Sequence, residues 1–146
     1  MSLGQDLEQS LQEGRCQSTG AGSQAEADVV ELDRLGVRLD RLKVQGASVG
    51  VGEAVQRLPD AFRSLPERIQ PVEVATELGG AVFRSAPEDI RAREFFEVRT
   101  DGQGAELERW KVGTEGRERI PFTLTRDQLR RVVEDVSEVF KSDTSV

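Results

Sequence analysis

Residues 117–140 read RERIPFTLTRDQLRRVVEDVSEVF, and two regular patterns follow one another in this stretch. Apolar residues that alternate with polar ones predict a half-buried strand over 117–124: Ile120, Phe122 and Leu124. Apolar residues at helical spacing then predict a helix over about 126–140 with one buried stripe: Leu129, Val132, Val133, Val136 and Phe140. Thr125 and Gln128 have the spacing of a capping box, which marks where the helix begins.

A second helical pattern runs from Val51 to Ile69. Its apolar residues form one continuous face: Val51, Val55, Leu58, Phe62, Leu65 and Ile69. Pro59 and Pro66 interrupt this pattern, because an interior proline removes a backbone hydrogen bond. Each proline follows a leucine and precedes an acidic residue, which suits the first turn of a new helix. We therefore expect a kinked helix, or two short ones, covering a sheet.

The sequence after this helix favours strands. Val72–Phe83 has strand-like alternation around Gly79 and Gly80, and 86–93 is predicted to be a loop or a single helical turn. Three further strands, separated by four-residue turns that contain glycine, predict a C-terminal antiparallel meander: Glu94–Thr100, Ala105–Val112 and Arg117–Leu124.

A short internal repeat over 29–45 has two interpretations. LDRLGV at 32–37 recurs as LDRLKV at 39–44, which places leucines at heptad-like spacing. The alternative is a helix through about Leu35, followed by a strand from Val37 to Val44 with a bulge near Asp40. We favour the strand, because two heptads do not make a coiled coil and Gly36 weakens a helix.

These patterns predict an α+β domain with an antiparallel sheet of four to five strands and helices on one face. Residues 1–24 are expected to be a flexible segment with a possible short helix carrying Leu3, Leu7 and Leu11, and 17–24 (QSTGAGSQ) has the composition of a linker. A single domain is predicted over 25–140, and a flexible tail over 141–146.

The composition narrows the class of function. The chain has a net charge of −7 and a pI of about 4.8, which argues against a nucleic-acid surface. Its basic residues are 17 arginines and three lysines, a bias that suits bidentate carboxylate pairing, although a GC-rich gene would produce it too. Cys16 is the only cysteine and no long apolar run occurs, so we expect a cytoplasmic protein without a membrane partner.

Catalytic motifs are incomplete. Gly46–Gly50 matches the Gly-x-Ser-x-Gly pattern of a nucleophile elbow around Ser48, but the chain contains no histidine to act as its base. The glycines of Gly46–Gly52 do not have the spacing of a dinucleotide or phosphate loop, and an anion site there stays an open alternative. Cys16 has no identifiable activator and is expected to be inert.

Acidic side chains are expected to be structural. Four of them cluster near the first predicted strand, and a solvated face is favoured over a metal site: Glu26, Asp28, Glu31 and Asp33. Glu106 and Glu108 share one side of a strand and have cross-strand arginines available as partners: Arg99, Arg109 and Arg119. No cofactor and no metal is predicted.

The candidate partner-binding residues are Phe95, Arg109 and Trp110. Phe95 and Phe96 are adjacent, so on a regular strand one of them leaves the core. Trp110 fits a core position, where the alternation changes phase after Leu107, but tryptophan is also common at interfaces. We expect a non-catalytic module that binds a protein partner or itself. The alternatives are a ligand-binding domain or enzyme using Arg and Glu side chains in a pocket between sheet and helix, and a subunit of a homo-oligomeric assembly.

Overall fold

The structure, a computed structural model, describes residues 2–85 and 93–142. Within those residues the chain forms three α-helices: α1 (Leu3–Gln9), α2 (Val51–Ala61) and α3 (Arg126–Val139). It also forms nine strands: β1 (Gly14–Gly20), β2 (Ser23–Leu32), β3 (Gly36–Gln45), β4 (Ile69–Ala75), β5 (Gly80–Ser85), β6 (Glu94–Thr100), β7 (Gly104–Gly113), β8 (Gly116–Ile120) and β9 (Phe122–Thr125). The α+β class is confirmed.

All nine strands belong to one antiparallel sheet, in the order β1-β2-β3-β7-β6-β5-β4 with β8 and β9 branching from it. Two runs of hairpins build it. Strands β1 to β3 form one half, β4 to β7 form the other, and β3 pairs with β7 where the halves meet. Helix α2 connects the two halves, and β1 and β4 are the outer edges of this order.

The sheet forks where β3 and β7 meet. Residues 42–45 of β3 pair with 104–107 of β7, but beyond this point the two strands pair with different partners. Strand β9 pairs with the first half of β3, and β8 pairs with the second half of β7. Pro121 separates β8 from β9 and has no N–H to donate to a ladder. The strand predicted over 117–124 is therefore two strands that fill the fork.

The helices form a layer on one face of the sheet. Helix α3 contacts β2, β3 and β9 and packs against both α1 and α2. Its sheet-facing stripe is completely buried: Leu129, Val132, Val133, Val136 and Phe140. Thr125 Oγ1 accepts a hydrogen bond from Gln128 N (3.0 Å), and Gln128 Oε1 accepts one from Thr125 N (2.9 Å). The predicted capping box and the helix that it begins are confirmed.

The prediction of four to five strands is too low, chiefly because β1 and β2 are not recognisable in the sequence. Their core-facing side chains are small or weakly apolar, so the alternation carries little hydrophobic signal: Cys16, Ser18, Ala25 and Ala27. Residues 17–24, expected to be a linker, form most of β1 and its turn into β2. The helix considered near 29–35 is also wrong, because β2 extends to Leu32.

The N-terminal segment expected to be flexible contains α1, which packs on α3. Leu7 is fully buried, and Ser2 caps the helix together with Gln5. Gly4 makes the approach possible, because a Cβ at this position would lie 2.4 Å from the backbone oxygen of Arg130. A helix this short is not stable by itself, so α1 is stabilised by its packing against α3.

Two further predictions concern helix and strand limits. A helix was predicted over 51–69, but α2 ends at Ala61, with Pro59 in its last turn. Leu65 and Ile69 are buried as predicted, although they lie outside the helix. The strand and bulge favoured for 37–44 are confirmed as β3, since the pairing with β2 skips Asp40. Most of the predicted loop at 86–93 (residues 86–92) and of the tail at 141–146 (residues 143–146) lies outside the described residues.

Candidate partner-binding site

The face of the sheet opposite the helices carries most of the sheet's charged side chains, and no described element covers it. Ion pairs cross the strands on this open face. Arg41 Nε lies 2.7 Å from a carboxylate oxygen of Glu106, and Arg15 Nε lies 2.9 Å from one of Asp28. The open face is therefore largely a network of balanced charges.

Phe95 and Trp110 lie directly opposite each other on β6 and β7, so their side chains share the open face. Both rings are only partly buried. Phe96 points to the helix layer, where it is buried and meets Phe122 edge-on, with 5.5 Å between the ring centroids. The adjacent phenylalanines thus divide between the two faces, and the open face receives an aromatic pair.

Arg109 lies on the opposite face from these two aromatic residues. Its guanidinium stacks over Phe96 at 4.5 Å from the ring centroid and lies 3.3 Å from a carboxylate oxygen of Glu67. The alternation along β7 keeps its phase after Leu107, so Arg109 faces the helix side and Trp110 faces away from it. The structure brings Phe95 and Trp110 together and does not bring Arg109 to them.

Glu97 is the most buried charged side chain of the open face, with 1% of its side-chain surface exposed. Three arginines donate to its carboxylate: Arg84 Nε at 3.0 Å, Arg117 Nη1 at 2.9 Å and Arg99 Nε at 2.9 Å. Burial alone would raise the pKa of Glu97, but the hydrogen bonds from these arginines outweigh it and hold the pKa below its usual value. Glu97 is therefore ionised at neutral pH.

A second carboxylate, Glu108, lies directly opposite Glu97 on β7. Like charges in this position repel, and each therefore needs its own cations. Arg119 Nη1 supplies one of them, 3.0 Å from a carboxylate oxygen of Glu108. The guanidinium of Arg117 also stacks over the Trp110 ring at 4.2 Å from its centroid.

We call this group of side chains on β5 to β8 the aromatic–arginine patch. Its members are Phe95, Trp110, Arg84, Arg99, Arg117 and Arg119, with Glu97 and Glu108 between them. Trp110 Nε1 is buried and has no hydrogen-bond partner among the described residues.

Three amides of the glycine-rich turn considered as an anion site already donate within the protein, whereas Gly50 offers no side-chain cap to the first amides of α2. The amides of Gly46, Ala47 and Val49 donate to backbone oxygens at 2.7–2.9 Å. One of these acceptors belongs to Gly102, where a Cβ would lie 2.9 Å from the backbone of Gly50. The turn is thus occupied in joining α2 to the β6–β7 turn, and Ser48 lies exposed within it.

Cys16 and three of the four residues of the acidic cluster have structural partners. Cys16 is buried on β1, and its Sγ contacts the backbone of Gln12. In the acidic cluster, Glu26 and Asp28 contact Arg15 and Arg41, whereas Asp33 accepts hydrogen bonds from backbone amides of the turn into β3. The described residues contain no group of three or more side chains placed to hold a metal ion.

Comparison with known proteins gives no relative to guide the assignment. No protein-family model matches the chain, and neither the curated proteins nor the solved structures include a match. None of the helices in the described part of the chain combines the length and the apolar character needed to cross a membrane. Any function must therefore be inferred from the chain's own residues.

Four arginines and Glu97 complete the site around Phe95 and Trp110. The sequence indicates Arg99 and Arg119 as cross-strand partners of carboxylates, but it does not indicate Arg84, Arg117 or Glu97. The alternation within EFFEVRT places Glu97 beside Phe95 on one face, but it does not show which side chains lie opposite. Arg84 and Arg117 reach Glu97 from β5 and β8, and only the strand register reveals this. Two signals were available: the excess of arginine over lysine, and the cross-strand arginines expected beside Glu106 and Glu108, of which Arg119 pairs with Glu108.

Proposed function

We propose that this chain is a non-catalytic protein-interaction module and that the aromatic–arginine patch is its binding surface. The observation that carries the proposal is the pairing of Phe95 with Trp110 on a sheet face that no described element covers. Aromatic side chains that are only partly buried in the monomer are the residues that most often anchor a protein partner.

The surroundings of the aromatic pair support this proposal. Tryptophan and arginine dominate the energetic centres of protein interfaces, and here arginines stack over both rings: Arg117 over Trp110 at 4.2 Å and Arg84 over Phe95 at 5.3 Å. The patch lies on paired strands rather than on loops, so binding requires little ordering of the chain.

The state of the carboxylates favours binding over catalysis. General acid–base catalysis needs a group whose pKa lies near the working pH, and the pKa of Glu97 is shifted away from neutrality. Its carboxylate oxygens accept hydrogen bonds from three arginines. Glu97 therefore acts as the internal counter-ion that holds the arginines in place.

A capture experiment with matched variants tests the proposal. Immobilised protein and the double variant Phe95→Ser/Trp110→Ala are exposed to an extract of the source cells, with Lys43→Ala as the control on the same face outside the patch. We expect a protein that the wild type and the control retain and the double variant loses, with all three folded by circular dichroism. Equal retention by all three would overturn the proposal.

Self-association is tested with the same variants. Size-exclusion chromatography with light scattering gives the mass of each, and a wild-type dimer that the double variant abolishes would identify a second copy as the partner. A dimer that persists in the double variant would place self-association outside the patch.

A further inference from the structure

We infer that the partner segment received by the aromatic–arginine patch is an acidic peptide, in which carboxylate side chains flank one apolar side chain. This inference rests on the proposed function and specifies its ligand. It is carried by the charge of the patch, by the exposure of its guanidinium groups and by the aromatic pair between them.

The patch contains more positive charge than its own carboxylates balance. Three arginines surround Glu97, which leaves a formal excess of two positive charges at this carboxylate in a chain whose net charge is −7, whereas Arg119 pairs with Glu108 and is also influenced by Asp28 and Asp40. Arg99 also lies across from Glu106, but Glu106 is paired with Arg41 at 2.7 Å.

The arginines keep donors available to a ligand. Between about a third and a half of each side chain is exposed. Each guanidinium has five N–H donors, whereas the hydrogen bond of Arg84 to Glu97 uses Nε and that of Arg117 uses Nη1. Planar arginine groups with free donors favour carboxylates, which they bind through two parallel hydrogen bonds.

The arginines are also held in position before any ligand arrives. The carboxylate of Glu97 accepts hydrogen bonds from Arg84, Arg99 and Arg117. In addition, Arg84 stacks over the Phe95 ring and Arg117 over the Trp110 ring. Immobilising a long side chain is a main cost of binding, and here folding has already met it. The partly exposed rings offer an apolar side chain of the ligand a surface between the cations.

A nucleic acid fits these observations less well. Its phosphates would extend beyond the patch over a protein of net charge −7, whereas a short peptide confines its carboxylates to the four arginines. A base of a single-stranded nucleic acid can also stack on the aromatic pair, so the charge of the chain, and not the rings, separates the two kinds of ligand. The acidic peptide satisfies both the charge and the aromatic pair.

Trp110 is the only tryptophan of the chain, so its fluorescence reports directly on the patch. The probe is the synthetic peptide DEELEED, acetylated at its N-terminus and amidated at its C-terminus, and its control is the uncharged analogue NQQLQQN with the same ends. We expect saturable binding of the acidic peptide that weakens as salt is added, and binding of the analogue that is at least about tenfold weaker. Anisotropy of labelled peptides provides a second readout that does not depend on Trp110.

Variants locate the binding. The double change Arg84→Gln/Arg117→Gln should weaken binding of the acidic peptide by at least about tenfold. The control Arg34→Gln/Arg38→Gln removes the same charge outside the patch and should have little effect on this binding. If the first pair of changes prevents folding, Arg84→Lys/Arg117→Lys keeps the charge and should still weaken binding, because lysine lacks the planar fork.

Three results would overturn the inference: equal binding of the two peptides, equal effects of the patch and control variants, or tighter binding of a single-stranded oligonucleotide than of the acidic peptide. In each case, partner capture that still depends on Phe95 and Trp110 would leave the proposed function standing. If the acidic peptide binds as expected but partner capture does not depend on Phe95 and Trp110, the proposed function is overturned.

Discussion

Two neighbouring rows of side chains cross the sheet from β1 to β5 on opposite faces. The inner row faces the helices and is apolar and buried throughout: Cys16, Ala27, Leu42, Leu107, Val98 and Phe83. The outer row is shifted by one residue along most strands: Gln17, Glu26, Lys43, Glu106, Arg99 and Val82. Its four central charges alternate in sign, and the backbone pairing is the same in both rows.

The difference between the rows separates stability from recognition. A buried aliphatic side chain contributes several kcal/mol, whereas an exposed ion pair contributes between 0 and about 1 kcal/mol. Folding therefore depends mainly on the inner row, and substitutions in the outer row cost little. The open face can acquire a binding surface without loss of the fold.

The largest expected effect comes from Leu107 and its neighbour Glu106, which belong to different rows. Leu107 is 1% exposed, and Leu107→Ala should lower the free energy of unfolding by about 2–5 kcal/mol because it leaves a cavity. Glu106→Ala, which removes a partner of Arg41, should cost no more than about 1 kcal/mol. Urea denaturation followed by circular dichroism measures both, and equal costs would abolish the distinction between the rows.

Glu97 is the exception on the open face, and its substitution should cost more than that of its exposed neighbours. Glu97→Gln removes the charge that three arginines share, and the half-exposed arginines then repel one another. We expect a loss of about 1–3 kcal/mol in the free energy of unfolding. Glu106→Gln is the matched control, and a cost for Glu97→Gln no larger than the control's would contradict the proposed arrangement.

The same carboxylate makes stability depend on pH. Because the pKa of Glu97 is lower in the folded protein than the ordinary glutamate value of 4.5, its stabilising contribution is complete above pH 4.5 and disappears as the pH falls through the folded pKa. The stability difference between wild type and Glu97→Gln should therefore be largest at neutral pH and shrink in acid. Denaturation curves at pH 7 and pH 3 test this, and a difference independent of pH would refute it.

An element of this fold could be predicted from the sequence when the residues that encode it are close together in the chain. The meander and α3 are encoded by side chains close in sequence, and they were predicted, as was the capping box of Thr125. Strands β1 and β2 were missed because alanine and serine occupy their inner face. The break at Pro121 was missed because Ile120 and Phe122 continue the alternation across it.

The candidate site was predicted in part for the same reason. The divergence of Phe95 from Phe96 follows from strand geometry alone, so it could be derived from two adjacent residues. The position of Trp110 opposite Phe95 depends on the β6–β7 register, and two of the three arginines around Glu97 come from other strands, Arg84 from β5 and Arg117 from β8. These relations are set by tertiary pairing and leave no local pattern.

The smallest expected effect on stability comes from substitutions at two threonines of β9. Thr125 caps α3, the helix that covers the inner row, whereas Thr123 lies exposed two residues earlier. Thr125→Ala should lower the free energy of unfolding by about 1 kcal/mol, because an amide of the first helical turn loses its acceptor. Thr123→Ala should change it by less than about 0.5 kcal/mol. Thermal melts of both variants measure the difference, and the reverse order would contradict it.

The fork between β3 and β7 also determines the order in which the protein can be assembled during synthesis. Residues 36–39 of β3 cannot form their pairing with β9 until residues 122–125 have been synthesised. The second half of β7 likewise requires residues 116–120 of β8. Until these late residues leave the ribosome, part of two central strands presents unpaired N–H and C=O groups to other chains. Because such distant pairing slows folding, we expect the chain to be most prone to aggregation before β8 and β9 close the fork.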